Sequence, residues 1–156
     1  MPAIQDAIPN NYCWGCGPLN TRGLHLKSFW QTDVTVSDFQ PLSEHMAGPK
    51  HILNGGIIAT LCDCHSVCTA IADAYRQERR EVGEPPDIWY ATGGLSIRYL
   101  RPTPLGQAVH LRAAILERTA KKAVVSCTLA SAGEVTVEAE VIAVRVPESW
   151  RHGKAP

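Results

Sequence analysis

A charge excess of either sign is missing from this chain: fifteen Lys and Arg residues face fifteen Asp and Glu, for a formal net charge of zero. Without a net field there is no long-range pull on a polyanion, so nucleic acid is not the expected partner. The first residues, MPAIQDAIPNNYCWGCG, lack a basic stretch leading into an apolar run, and no secretory signal is expected. No apolar run reaches membrane-spanning length unbroken, because Asp63, His65 and Asp73 interrupt the longest one; no membrane partner is expected either. Internal repeats and low-complexity segments are absent. So is the look of a disulfide framework: three of the six cysteines crowd into CDCHSVC (62–68), which fits reduced thiols in a cytoplasmic protein.

What is present suffices for one ordinary domain. A chain of 156 residues, 45% apolar and 19% charged, can bury a core of its own. The segment 1–23 is rich in Pro, Asn and Gly and is expected to be an irregular arm or lid, ahead of a folded domain (24–147) and a tail (148–156). LHLKSFW (24–30) alternates, with Leu24, Leu26, Ser28 and Trp30 on one face. DVTVSDFQP (33–41) is a second strand, ended by Pro41. From Gly55 the period changes. Ile57, Leu61, Cys64, Cys68, Ile71 and Tyr75 recur at intervals of three and four, one face of a helix expected to run to Tyr75 or Arg79. RQERREVGEPPD (76–87) is polar, ends in Pro-Pro and forms a loop. Four strand-like runs follow: IWYATGGLSIRYL, QAVHLRAAILER, AVVSCTLASA and EVTVEAEVIAVRV. Short turns at Thr119–Lys121 and Ser131–Gly133 join the last three into an antiparallel meander. The expected class is α+β, with one long central helix wrapped by a curved antiparallel sheet of five to six strands.

Inside HILNGGIIATLCDCHSVCTA (51–70) a single acid, Asp63, stands among small and apolar residues, where an unpaired carboxylate is costly. Gly55 and Gly56 open the helix, with Asn54 in the N-cap region. Unpaired backbone N–H groups and the helix dipole favour an oxyanion there, or a carbonyl becoming one, and glycine lets it come close. The plainer alternative is that the glycines serve packing and Asn54 only caps. Asp63 falls on the stripe Gly56, Ala59, Asp63, Ser66, Ala70, otherwise small throughout. It is placed to act as general base on a water or to attack an acyl carbon; the alternative is a buried Asp satisfied by hydrogen bonds. Eight residues of helix span about 12 Å, whereas a reacting carbon must lie within about 3 Å of both the oxyanion donors and the attacking group. Gly55 and Asp63 of one chain do not easily serve one carbon. Two chains do, if their helices run antiparallel across a two-fold axis, so a homodimer with two shared sites is expected.

NGGIIATLCD (54–63), followed after the loop by ATGGLSIRYLRPTPLG (91–106), resembles the hotdog-fold acyl-CoA thioesterases of the phenylacetic acid degradation (PaaI-like) group. Their signature is His-Gly-Gly, an acid eight residues after the first glycine, and a strand ending in Tyr-x-x-Pro. YCWGCGPLNTRGLHL (12–26) is similar to a segment ahead of the domain in one branch of that group. The resemblance runs from about Cys13 to Val146. It implies the hotdog fold, a dimer as minimal unit and often a tetramer, and hydrolysis of an acyl-CoA thioester. Carried over by position, Gly55 donates its N–H to the thioester oxygen, Asp63 is nucleophile or general base, and Thr92 positions the acid or the water. Gly56, His51, Ser66 and Arg101 are the candidate substrate-binding residues. Two positions depart from the pattern. The histidine before Gly-Gly is Asn54, which offers an amide donor but does not titrate, and an Asn seven residues before the first glycine is Gly48. His45 and His51 are candidate substitutes.

Cys13-Trp-Gly-Cys16 suits a redox pair or half of a zinc site, with Cys64 and Cys68, one helical turn apart, as the other half and His65 nearby. Cys64 and Cys68, however, share the apolar helix face with Ile57 and Leu61, where free cysteine acts as a small hydrophobe; no metal and no cofactor are expected. His65 and Asp63, two residues apart on a helix, point to nearly opposite sides, so His65 is expected to be packed and hydrogen-bonded, not paired with the acid. Arg76, Arg79, Arg80, Arg101, Lys121 and Lys122 suit CoA phosphates, although each taken singly fits a solvated loop or turn better. The expected function is hydrolysis of an acyl-CoA by water, Asp63 and the Gly55 helix terminus. A catalytically silent hotdog module binding acyl-CoA or a protein partner is the rival, and a small zinc or redox protein is a third reading.

Overall fold

In the computed structural model, which describes residues 1–153, helix α1 (Ile4–Ala7) precedes strands β1 (Phe29–Gln31) and β2 (Val34–Phe39). The long helix α2 (Gly55–Gln77) comes next. Strands β3 (Trp89–Tyr99), β4 (Val109–Arg118), β5 (Lys122–Ser131) and β6 (Glu134–Val146) follow, and α3 (Glu148–Arg151) ends the described chain. All six strands form one antiparallel sheet in the order β1-β2-β4-β5-β6-β3. The sheet curves around α2, the α+β hotdog arrangement expected from the sequence. Its outer members are β1 and β3, and the eleven residues of β3 pair only with β6.

Helix α2 begins where Asn54 caps it and ends at Gln77, beyond which Arg79 turns the chain with a φ of 55°. Its expected inner face is buried at Leu61, Cys64, Cys68, Ile71 and Tyr75, and Ile57 is half-buried. A second face, with Ile58, Cys62, His65, Thr69 and Ala72, is buried as well. By length and composition α2 could cross a membrane, but its most apolar stretch is 61% buried within the fold. A one-face periodicity understates such a helix, because two different layers cover it.

The second layer is the N-terminal arm. Residues 1–23 are irregular, as expected, apart from α1, and Ile4, Ile8 and Cys16 join the core cluster while Asn11 is buried. The Ile4 N–H donates to the Ser28 carbonyl at 2.9 Å. The arm is thereby packed onto the core of the domain. The alternation of 24–30 is real, with Leu26 and Ser28 buried and Phe29 exposed, although only Phe29–Gln31 pair as a strand. Of the expected tail, Glu148–Arg151 is helical, and 154–156 lie outside the described residues.

Between sheet, arm and helix runs a chain of buried polar groups whose direction its two ends fix. Gln5 Nε2 donates to Ser28 Oγ at 2.7 Å, leaving the Ser28 hydroxyl proton for His65 Nδ1, also at 2.7 Å. His65 Nε2 then carries the ring proton and faces the Thr35 carbonyl at 3.3 Å. Thr69 Oγ1 donates to the His65 carbonyl at 2.7 Å, so it accepts from Thr35 Oγ1 at 2.5 Å. Burial holds the His65 imidazole down to about 4, and the ring is neutral. His65 is thus packed and hydrogen-bonded, as its position on the helix predicts.

Candidate active site

Asp63 sits two turns into α2, half-buried, and accepts a hydrogen bond from Thr92 Oγ1 at 2.7 Å. Burial pushes its carboxyl above the usual carboxylate range, and the Thr92 bond opposes that rise. Both residues line a cavity of about 360 Å³ whose walls include Ile8, Val67, Ile71, Trp89 and Trp150. The indole N–H of Trp89 is buried with no partner among the described residues.

Thr92 reaches Asp63 through a defect in β3. The register against β6 shifts between Thr92 and Gly94, a bulge that re-aims the strand's side chains. Gly93 permits it: a Cβ there would lie 2.6 Å from Val144 Cγ2. Gly93→Ala is therefore expected to lower stability by about 1–3 kcal/mol and to weaken the Thr92–Asp63 contact. Gly106→Ala is the control, since a Cβ at Gly106 meets nothing within 4 Å. Urea midpoints of the two variants check this; equal midpoints would show that the bulge tolerates a side chain.

The other expected half of the site lies at the start of α2. Asn54 Oδ1 accepts from Gly56 N–H at 2.8 Å and from Ile57 N–H at 3.2 Å. The Gly56 N–H is thereby occupied, whereas the Gly55 N–H has no partner among the described residues. Tyr99, the tyrosine of the Tyr-x-x-Pro motif, donates its hydroxyl to the Gly55 carbonyl at 2.7 Å. Gly55, Tyr99 and Arg101 line a second cavity of about 440 Å³, together with Leu53 and Ile58. The two cavities share no wall residue, and eight residues of continuous helix, about 12 Å, separate Gly55 from Asp63.

The remaining candidates are placed less favourably for a ligand. Ser66 is fully buried, its hydroxyl has no partner among the described residues, and it lines neither cavity. His51 is exposed outside both cavities, and its carbonyl accepts from Leu105 N–H at 2.9 Å. His45 is buried, its Nδ1 accepts from Leu42 N–H at 3.0 Å and its ring stacks on Phe39. Arg76, Arg80 and Arg101 pair with Asp33, Glu78 and Glu134. Sequence reasoning passed over Tyr99 as a bonding group and Trp89 as a wall, and it set aside the pairing of Cys13 and Cys16 with Cys64 and Cys68, which the structure brings together at the edge of the Asp63 cavity. The signal for the last was in view, a CxxC followed by glycine and two thiols one helical turn apart.

With this geometry in hand, the comparisons are consistent. The profile described as Thioesterase superfamily matches residues 50–138, which span α2 and most of the sheet. A thioesterase superfamily protein from Shewanella loihica PV-4 is 34% identical, with 78% of this chain and 91% of that one covered at a TM-score of 0.63. A phenylacetic acid degradation-related protein from Ralstonia eutropha JMP134 is 17% identical (78% and 85% covered, TM-score 0.62). A hypothetical thioesterase protein with coenzyme A from Streptococcus pneumoniae TIGR4 is 15% identical (78% and 85% covered, TM-score 0.63). The last two speak for the fold alone. No curated protein matches the chain. The family match covers more than half of the residues and centres on the helix that carries both glycines and the acid, so the chain belongs to the thioesterase superfamily, a family of thioester hydrolases, in its hotdog fold.

Proposed function

We propose that this thioester hydrolase acts on acyl-CoA in the reducing cytoplasm through two sites shared across a homodimer, alone or paired with a second dimer as a tetramer. The observation that carries this reading is the division of the machinery along α2. An acid with its positioning hydroxyl lies in one apolar cavity, and an unpaired helix-terminal N–H lies about 12 Å away in another. An antiparallel second copy would bring the Gly55 end of one helix beside Asp63 of the other. The free edge of β3, with Leu95 and Tyr99 exposed, supplies unpaired backbone groups for such an association. The coenzyme A on the Streptococcus relative supports a CoA thioester as the substrate class.

In this arrangement the thioester carbonyl points at the Gly55 N–H of one copy, and the acyl group enters the apolar cavity beside Asp63 of the other. Acting as base, Asp63 takes a proton from water while the hydroxide equivalent adds to the carbonyl carbon. The oxyanion that forms is held by the Gly55 N–H and the helix terminus. Collapse breaks the C–S bond, and the proton passes to the departing CoA sulfur, giving a free acid and CoA. Thr92 holds the carboxylate on line through its 2.7 Å bond. Asn54, its Oδ1 engaged in capping, has its amide N–H groups left to face the carbonyl.

The test is a panel of aryl, short-chain and long-chain acyl-CoA substrates with free-thiol detection. Turnover of at least one class is expected. Binding of acyl-CoA with no turnover across the panel would move the protein to the silent binding module, a reading that the replacement of the family histidine by Asn54 would then explain.

A further inference from the structure

We propose that Cys13, Cys16, Cys64 and Cys68 form a tetrathiolate site for a zinc-class divalent cation, which clips the N-terminal arm to α2. The sulfurs come from segments far apart in sequence. Cys13 Sγ lies 3.6 Å from Cys64 Sγ, and Cys16 Sγ lies 3.8 Å from Cys68 Sγ. Those of Cys13, Cys16 and Cys64 all fall within 4.8 Å of one another, while Cys68 lies farther than that from at least one of them and joins through Cys16, so its sulfur closes in when the ion binds. A tetrahedral zinc ion with Zn–S bonds of about 2.3 Å sets sulfurs about 3.8 Å apart. All six cysteines are free, and a disulfide would require about 2.05 Å where the sulfurs here keep van der Waals separation or more.

The backbone around the cluster is arranged for it. The turn between Cys13 and Cys16 closes with Gly17 N–H donating to the Cys13 carbonyl at 2.7 Å. A Cβ at Gly17 would lie 2.4 Å from Cys13 N and 2.5 Å from the Asn11 carbonyl oxygen, so only glycine leaves the turn intact. Gly15 is bare for a different reason: a Cβ there would lie 2.3 Å from Cys64 Sγ, and its absence lets the arm reach the helix. Buried Asn11 accepts from Cys13 N–H at 3.2 Å and turns its amide N–H towards Cys16 Sγ, 4.0 Å away. Cys64 and Cys68 project from one side of α2 as an i, i+4 pair. Cys13 is exposed and gives the ion a way in from solvent.

Mere packing explains a buried thiol one at a time. It does not explain why two glycines and an asparagine side chain bring a CxxC turn onto two helical thiols. Binding converts four thiols to thiolates, releases four protons to solvent and leaves one cation held by four sulfurs. The ion would fix the wall of the Asp63 cavity, since Cys13, Cys16, Cys64 and Cys68 all line it.

The decisive experiment uses the wild-type chain, stripped by chelator and titrated with Co²⁺. One cobalt per chain is expected, with thiolate-to-cobalt charge transfer and the visible bands of a tetrahedral centre, all displaced by Zn²⁺. Metal should shield Cys13 from a thiol reagent, and chelator should expose it. Cys68→Ser is expected to weaken Co²⁺ binding at least tenfold, whereas Cys127→Ser, on β5 away from the cluster, should not. Octahedral cobalt spectra, or Cys13 labelling that ignores chelator, would overturn the site even if Cys68→Ser failed to fold. These readouts do not involve turnover, so a protein silent towards every acyl-CoA would leave this inference standing.

Discussion

Asp63→Asn is expected to lower kcat by a factor of about 10³, within the range for loss of a positioned general base, while the fold persists. The amide keeps the shape of the carboxyl and can still accept from Thr92, whose bond to Asp63 is 2.7 Å. What disappears is the proton acceptor, or the nucleophile if Asp63 attacks the acyl carbon directly. Because the half-buried carboxylate is costly to desolvate, the variant should unfold at an equal or higher urea concentration. A variant with full activity would remove Asp63 from the chemistry. Single turnover in ¹⁸O-water tests the second role: an unlabelled acid from the first turnover shows an anhydride with Asp63 that water opens at the Asp63 carbon.

The same variant tests whether sites are shared. Gly55→Pro deletes the proposed oxyanion N–H at a position where a helix accepts proline, the first after the cap. Asn54 is already extended, at φ −58° and ψ 130°, as a residue before proline should be. Neither variant alone should turn over well. Re-equilibrated in equal amounts, half of the dimers are mixed, and one of the two sites in each regains both wild-type halves. About a quarter of wild-type activity is then expected from the two-fold symmetry. No recovery from a mixture shown to exchange subunits would place both groups of a site on one chain.

The largest loss of stability is expected at His65. Replacement by leucine keeps most of the volume but leaves Ser28 Oγ without an acceptor and the Thr35 carbonyl without its side-chain donor, both in the interior. Each orphaned buried group costs about 1–3 kcal/mol, so a total near 3 kcal/mol is expected in urea unfolding. A loss below about 1 kcal/mol would mean that the neighbouring hydroxyls re-pair without the ring. The effect is large because this one side chain ties together α2, the segment leading into β1, and β2.

The sequence made some of this legible and hid the rest for identifiable reasons. The strands from residue 88 onwards alternate or run apolar between clear turns, and their observed bounds differ from the expected ones by a residue or two. The Gly-Gly opening of α2 and its acid were visible from spacing, and the Asp63–Thr92 contact came from the family resemblance. In the arm, Pro, Asn and Gly mark local irregularity, which the structure bears out beyond α1. They say nothing about whether Ile4, Ile8 and Cys16 find a helix face to cover. Periodicity assigned Cys64 and Cys68 to the apolar side correctly, but what lies opposite them is set by a segment about fifty residues earlier. No local pattern carries that distance. The inward polar residues of β2, Thr35 and Ser37, were likewise unreadable until His65 and the Lys27 carbonyl supplied their partners.

Strand β3 carries Thr92 and Tyr99, one touching the acid and the other the helix start, on the same free edge of the sheet. If that edge is where two copies meet, assembly and catalysis are a single equilibrium. A chain without its partner would then be an incomplete enzyme, and specific activity would fall on dilution as the pair comes apart. Abundance in the cell would set the rate twice, once through the number of chains and once through the fraction that are paired.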